Sequence, residues 1–285
     1  MPKLNANAAM LWSMAASITL SLLLTRYLQA EGLHPIHAAL IQACGCFLVV
    51  ALFDRPSLRP LLRRDALTYF AIASLIGFTI PRLVVATAVT HTGVGLTTLA
   101  FTLPLVVTYG IAIAIRVESF DRMRFAFLTI TLLGALIYVS TRLEAVSVEL
   151  GWVAILLMAP LTLGIANVYR SMAWPADLPP TAVALATALF SLISYMGILV
   201  LNPVSTPLLL FMLAAGFEQR LIFKLQRSAG PVYIGQAGAL VVLFGGIMGY
   251  LLFDETYTVI TFAGSILILV GVITYGRYCG RDLAL

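Results

Sequence analysis

Long apolar stretches alternate with short polar breaks along the whole chain of 285 residues. Stretches of about 20 apolar residues are long enough to cross the hydrocarbon core of a bilayer as helices. Backbone amides in hydrocarbon need partners within the chain, so the stretches are predicted to be helical. Turn-forming residues mark the breaks, for example Glu31-Gly32, Asp54-Arg55-Pro56, Thr92-Gly93, Asn202-Pro203 and Gly230-Pro231. The pattern predicts ten transmembrane helices, at about 8–28, 35–53, 66–88, 93–115, 123–141, 150–171, 181–201, 206–227, 231–253 and 258–277.

The second half of the sequence resembles the first, at an offset of 137 residues in the later part of each half and 144 in the earlier part. Apolar helices resemble one another by chance, but polar residues and glycines that also fall in register favour a real duplication. The matching pairs include Gly134/Gly271, Tyr138/Tyr275, Glu118/Glu255 and Arg26/Arg170. We therefore expect one membrane domain with two repeats, about 1–142 and 143–285, which are inverted if each contains five spans.

Composition and charge narrow the class of protein. The chain is 61% hydrophobic and 10% charged, whereas a soluble domain has roughly 25% charged residues. With an inside N-terminus, thirteen Lys and Arg residues, Arg170 among them, fall on the cytoplasmic side, against Arg26 and Arg142 outside. This asymmetry predicts that both termini are cytoplasmic. The net charge of +5 forms no basic stripe interleaved with aromatics, so we expect no nucleic-acid partner.

Three segments carry a resemblance to a known family. Segments 93–118 and 229–255, each ending in a Glu before the last span of its repeat, and segment 159–175 resemble helices of EamA-type exporters. These belong to the drug/metabolite transporter superfamily, and the resemblance covers essentially the whole chain. It implies an all-α integral membrane protein with ten transmembrane helices in two inverted five-helix repeats. Gln42 departs from the Arg that such proteins often carry, which affects the expected substrate class.

The same resemblance implies a function, a location in the cell and a position for the substrate cavity. A multi-pass protein of the bacterial inner membrane would export small organic metabolites, such as amino acids or related zwitterions, by alternating access. The first, third, fourth, sixth, eighth and ninth helices would surround the central cavity. Export by lipid or amphipathic-drug flipping is the alternative, and a membrane-embedded enzyme is a further rival.

Ionisable residues far from the membrane edges are the strongest candidates for the substrate site, because each costs free energy unless it is paired or hydrated. Arg82 follows Pro81 about two-thirds of the way through the third span, and Glu218 and Arg220 lie comparably deep in the eighth. Inversion predicts that Arg82 lies in the outer half of the membrane and Glu218 in the inner half, some distance apart. A structural ion pair between Arg82 and Glu218, or snorkelling of Arg220, remains the alternative.

Weaker candidates for substrate contact are polar residues on helices expected to face the cavity. Small hydroxyl residues also let helices pack closely, so packing and cavity lining both remain open for them. These candidates are Ser17, Thr98, Thr102, Tyr109 and Asn167.

The motifs of catalysis and nucleotide binding are missing from the sequence. We find no nucleophile–base arrangement, phosphate loop or HExxH-type motif. We therefore expect no catalytic residues, no metal site and no cofactor, and a gradient rather than ATP as the source of energy. The expected partners are a small-molecule substrate and the lipid bilayer, with the proton as one candidate coupling ion. Both a monomer and a homodimer are compatible with the sequence.

Overall fold

The computed structural model describes residues 2–56, 64–143, 149–176, 178–196, 207–253 and 258–282. Every regular element in these ranges is helical, as the apolar pattern predicts. The helices, with one π-helical segment at Leu75–Thr79, are α1 (Pro2–Ala30), α2 (Pro35–Phe53), α3 (Arg64–Ser74), α4 (Ile80–Ala100), α5 (Leu103–Ala114), α6 (Arg122–Leu143), α7 (Leu150–Met172), α8 (Pro180–Met196), α9 (Pro207–Ala229), α10 (Pro231–Gly235), α11 (Ala237–Phe253) and α12 (Val259–Asp282).

Several of these helices have the length and composition of membrane spans. Within the described ranges, five are long and apolar enough: Ala6–Ala30, Pro35–Phe53, Ala66–Thr92, Leu150–Met172 and Val259–Tyr278. Three shorter apolar helices accompany them, at Leu103–Ala114, Pro180–Tyr195 and Pro231–Gly245. In these described ranges the structure thus confirms an all-helical architecture of membrane-protein character, whereas the count of ten spans stays a prediction.

Two predicted breaks depend on glycines in the left-handed backbone region. Gly32 has a φ of +94° and Gly230 a φ of +84°, values that side chains with a Cβ rarely adopt. After Gly32, the ring of His34 accepts a hydrogen bond from the N–H of Ile36, and Pro35 occupies the first turn of α2. The breaks after α1 and α9 therefore lie where the turn residues predict them. The predicted break at Asn202-Pro203 lies outside the described residues.

The predicted break at Thr92-Gly93 is different in the structure. The helical assignment of α4 continues to Ala100, and the break comes at residues 101–102. The hydroxyl oxygens of Thr92 and Thr97 are nevertheless only 3.0 Å apart, and Ala88 and Ala100 share one apolar cluster with Leu156. Residues twelve apart on a straight helix are separated by about 18 Å. The chain therefore bends sharply between residues 92 and 97 without losing its helical assignment.

Helices from one half of the chain pack mainly on helices from the other half. The extensive contacts join α1 to α9, α4 to α7, α2 to α9, α3 to α8, α5 to α7 and α1 to α11. Two further contacts, α2 with α8 and α6 with α12, join helices at equivalent places in the two halves. The halves are thus intermixed, and the core lies between them.

The contact between α6 and α12 depends on glycine. A Cβ built at Gly134 would lie 2.7 Å from the backbone N of Ile268, and one at Gly271 would lie 2.8 Å from the N of Thr131. Only residues without a side chain allow this approach. The two contacts are equivalent, because each member of the first pair is 137 positions from its counterpart in the second.

Candidate functional site

A cavity of about 920 Å³, open space at its mouth included, lies between the two halves. Its walls come from α1, the π-helical segment, α4, α7, α9, α10 and α11, from residues at the start of α5, and from Gln42 of α2. Most of the lining is apolar, but three ionisable side chains belong to it: Arg82, Arg170 and Glu218. A cavity of this character, apolar with a few convergent polar groups, can fix a small organic molecule by a few polar contacts.

The backbone around Pro81 places Arg82 in the cavity wall. Proline has no N–H to donate and its ring crowds the carbonyl four residues earlier, here that of Gly77. The helix widens at this point into the π-helical segment Leu75–Thr79. Such widened turns inside α-helices are frequent at functional sites.

Arg82 contacts three polar side chains. Its Nη2 donates to the Sγ of Cys46 at 3.2 Å and to the Oε1 of Gln219 at 3.3 Å, and lies 3.7 Å from the Oε1 of Glu218. Its guanidinium also lies over the ring of Phe78, 5.2 Å from the centroid. The side chain is 9% exposed, and its Nη1 has no hydrogen-bond partner among the described residues.

The proximity of Glu218 corrects an expectation, because Arg82 and Glu218 were predicted to lie in opposite halves of the membrane and apart. Arg82 and Gln219 are equivalent residues, 137 positions apart, and they contact each other directly. Arg82 and Glu218 therefore lie side by side, and the separation inferred from the span boundaries was wrong.

Gln219 is oriented by its own neighbours. Its Nε2 donates to the hydroxyl of Thr187 at 3.1 Å and to the carbonyl of Ala184 at 3.4 Å. These bonds direct the acceptor Oε1 toward Arg82, and the side chain is fully buried. Helix α8 thus supports the site although it does not line the cavity.

Arg170 is the functional candidate that the sequence analysis missed, since it was counted as a charge at the cytoplasmic edge. The structure buries it to 2% exposure in the cavity wall. Its Nη2 donates to the Oδ1 of Asn167 at 2.5 Å, and its guanidinium lies over the rings of Phe78 and Phe223 at 5.3 and 5.6 Å. The 3-residue spacing of Asn167 and Arg170 on one helix face was the available signal.

A glycine makes room for Arg170. A Cβ built at Gly77 would lie 3.0 Å from the Nη1 of Arg170 and 3.3 Å from the Cβ of Ala166. The last turns of α7 therefore pack against the π-helical segment, at the depth of the cavity. The charge of Arg170 consequently belongs to the cavity wall and not to a loop.

Asn167, one of the candidates for substrate contact, lies in the cavity lining. Its Nδ2 donates to the hydroxyl of Thr108 at 3.1 Å, while its Oδ1 accepts from Arg170. The Nε2 of Gln226 donates to the backbone oxygen of Asn167 and to the hydroxyl of Ser171. Asn167 thus connects Arg170 to a buried polar network between α5, α7 and α9.

Arg220 lies outside the cavity lining, although it was a candidate for substrate binding. Its Nε and Nη2 donate to the two carboxylate oxygens of Asp54 at 2.5 and 2.6 Å. Lys224 lies 3.5 Å from the same carboxylate. This forked pair ties the end of α2 to α9 and leaves Arg220 with a structural role.

The four hydroxyl candidates are also absent from the described lining. Ser17 donates to the carbonyl of Ser13 in its own helix, and Tyr109 donates to the carbonyl of Asp121. Thr98 and Thr102 are buried. The packing alternative therefore accounts for their positions better than substrate contact does.

The loop between α5 and α6 carries an ionic cluster. The carboxylate of Asp121 accepts from the N–H groups of Met123 and Arg124 and from the hydroxyl of Tyr278. Although burial acts in the opposite direction, these hydrogen bonds hold the pKa of Asp121 below its usual value. Burial raises the pKa of Glu118, and Arg124 at 3.4 Å offsets only part of that effect. Glu118 thus helps to fix this turn, and its counterpart Glu255 lies outside the described residues.

Comparison with known proteins identifies a fold and no family. No family model matches the chain, and no curated protein sequence matches it. A solved structure named only as a crystal structure of a protein is similar, with a TM-score of 0.70 over 96% of this chain and 98% of its own. The two sequences are 16% identical, so the likeness shows a shared fold alone.

Proposed function

We propose that this chain is a secondary active transporter that moves small organic metabolites across the bacterial inner membrane by alternating access. The observation that carries the proposal is the cavity between the two halves, in which Arg82, Arg170 and Glu218 lie among apolar walls. Charges within membrane helices are costly and typically mark a substrate or ion pathway. A protein built only for stability would gain more from apolar residues at these positions.

The packing of the halves supports an inverted duplication. When each helix is replaced by its counterpart in the other half, the α1–α9 contact becomes the α7–α4 contact. The α5–α7 contact becomes the α11–α1 contact in the same way, and all four contacts are present. The equivalent glycine contacts between α6 and α12 follow the same exchange. Transporters of this construction bind substrate at the repeat interface and expose it to each side in turn. The resemblance to EamA-type exporters adds export as the direction of transport.

Glu218 provides a candidate site for a coupling proton. It is the acidic residue of the cavity lining, and its carboxylate lies beside Arg82. Proton binding there would release Arg82 from its partner, and release of the proton would restore the pair. Substrate and proton would then compete for the same charges.

Flipping of lipids or amphipathic drugs is the second candidate, favoured by the apolar walls of the cavity. Met14, Ile18, Phe101, Ile222 and Ile234 contribute to these walls. A flippase needs a path for acyl chains beside the polar site, whereas a metabolite transporter needs a cavity that is closed toward the lipid.

Counterflow in proteoliposomes tests the proposal and separates the two candidates. Vesicles that contain the purified chain are loaded with one unlabelled organic acid or amino acid, and uptake of the same labelled compound is followed. We expect transient accumulation for at least one compound, which a channel or an enzyme does not produce. A parallel assay follows dithionite quenching of a fluorescent phospholipid in the same vesicles. Lipid movement without counterflow would contradict the metabolite proposal and favour the flippase.

A further inference from the structure

The charged groups of the cavity lining are not balanced. Arg82 has Glu218 within ion-pair distance, at 3.7 Å. Arg170 is more deeply buried than Arg82, yet no acidic side chain in the described part of the chain forms an ion pair with it. A buried guanidinium cannot lose its proton at accessible pH, so this positive charge needs an anion from elsewhere.

The free donors of Arg170 match a carboxylate. Asn167 takes one hydrogen of Nη2, while Nε and Nη1 are buried without a hydrogen-bond partner among the described residues. A carboxylate in the cavity reaches these donors when the guanidinium turns from Gly77 toward the cavity space that Arg170 lines. A guanidinium has two edges with paired N–H groups, and Nη2 contributes one hydrogen to each edge. Whichever edge Asn167 occupies, the other still offers two parallel donors, which is the geometry that binds a carboxylate through both oxygens.

The position of Arg170 relative to Arg82 limits where the anion would lie. Both guanidinium carbons lie close to the ring of Phe78, at 5.2 and 5.3 Å from its centroid. They are therefore at most about 10.5 Å apart, the sum of these two distances. An anion of a few carbon atoms on Arg170 consequently remains inside the same cavity as the Arg82–Glu218 pair.

We propose that Arg170 binds the carboxylate of the substrate, and that the cavity selects small organic anions with one net negative charge and an apolar body. This inference rests on the transport function proposed above and defines its substrate class. Two arginines and one carboxylate leave a net charge of +1, which a monoanion neutralises. A zwitterion would leave that charge buried, and a cation would add to it. The apolar walls match the body of the molecule.

Three compounds with the leucine skeleton test the proposed preference for a monoanion, by isothermal titration calorimetry on the purified full-length chain. They are 4-methyl-2-oxopentanoate, which is a monoanion, leucine, which is a zwitterion, and leucinamide, which is mainly cationic at neutral pH. We expect the oxo acid to bind at least about tenfold more tightly than leucine, and leucinamide to give no binding heat. Equal affinity for the three, binding of leucine in preference to the oxo acid, or no binding of the oxo acid would overturn the inference.

Two variants test the residue. Arg170→Gln removes the charge and should weaken oxo-acid binding by at least about thirtyfold, as expected for loss of a buried charge partner. Asn167→Asp keeps Arg170 but places a carboxylate beside its Nη2, so the cavity becomes neutral. This variant should lose affinity for the oxo acid and bind leucine at least as well as the oxo acid.

Thermal unfolding separates binding from a structural role. Arg170 is an unbalanced buried charge, so Arg170→Gln should keep or raise the midpoint of unfolding while it weakens oxo-acid binding. A lower midpoint together with unchanged oxo-acid affinity would show that the residue is structural. Arg26→Gln is the matched control, because Arg26 is the counterpart of Arg170 in the first half and is exposed. It should bind the oxo acid like the wild type.

Failure of the inference about Arg170 can be distinguished from failure of the transporter proposal. Counterflow of 4-methyl-2-oxopentanoate that persists undiminished in Arg170→Gln would contradict the role of Arg170 and leave the transporter proposal intact. Counterflow of no compound by the wild type would contradict the transporter proposal itself.

Discussion

The Arg82–Glu218 pair allows a quantitative prediction about stability. At 3.7 Å and with side chains 9% and 15% exposed, the attraction amounts to about 4 to 5 kcal/mol at an effective dielectric constant of 20. Desolvation offsets much of this, but removing one partner alone costs about 3 to 5 kcal/mol, because a buried charge is left uncompensated. Glu218→Met should therefore lower the unfolding midpoint by roughly 10 °C.

The double variant distinguishes an ion pair from two independent residues. Arg82→Met should cost less than Glu218→Met, because a carboxyl group can take up a proton whereas a guanidinium cannot lose one. Arg82→Met combined with Glu218→Met replaces both charges by apolar groups of similar volume, and should unfold at a higher temperature than Glu218→Met alone. The assay is thermal unfolding of purified protein in one detergent, followed by tryptophan fluorescence. Additive losses in the double variant would refute the direct pairing.

Three further predictions concern transport, pH and packing. Arg82→Ala should abolish counterflow without preventing membrane insertion, and Arg82→Lys should retain part of it, because lysine keeps the charge but loses the fork; normal counterflow by the alanine variant would contradict this. Since the pKa of Asp121 is lowered in the folded state, its charge stabilises the fold above its ordinary value near 3.8 and ceases to do so as the pH falls through the folded-state pKa. Asp121→Asn should accordingly lower the unfolding midpoint by about 2 to 4 °C at pH 7 and by less at acid pH. A difference in midpoint between variant and wild type that grows as the pH falls would show that the charge is not responsible. Gly134→Ala, whose new Cβ would lie 2.7 Å from the N of Ile268, should cost about 1 to 3 kcal/mol by overpacking, whereas Gly110→Ala meets nothing within 4 Å and serves as the control.

Much of the fold could be predicted because a bilayer restricts what a chain can do. Apolar length predicts helices, and the glycines at 32 and 230 predict two of the breaks, since both signals are local. The form of the bend near Thr92, by contrast, could not be predicted from the local sequence. The helical assignment continues through it, and residues on both sides of it pack with Leu156 of α7, so turn residues alone indicate its place but not its form.

The site was harder to predict because burial depends on partners. Arg82, Glu218 and Asn167 were found from their depth and polarity, whereas Arg170 was assigned to a membrane edge because it lies near the end of its helix. The packing of α7 against Gly77 shows that the turn containing Arg170 is buried, although Met172 at the end of the helix is exposed. For Arg220 the error is the reverse. The sequence places it deep in a predicted span, whereas in the structure it forms an ion pair with Asp54 at the end of α2.

Accessibility of the cavity from each side of the membrane tests the central claim most directly. Ser21 lines the cavity on α1, and Ser21→Cys in a variant without the native cysteines gives one reactive thiol. A membrane-impermeant maleimide is applied to right-side-out vesicles and, separately, to inside-out vesicles. Alternating access predicts labelling from both sides, slowed in both cases by bound 4-methyl-2-oxopentanoate. Labelling from one side only, or from neither, would contradict the account.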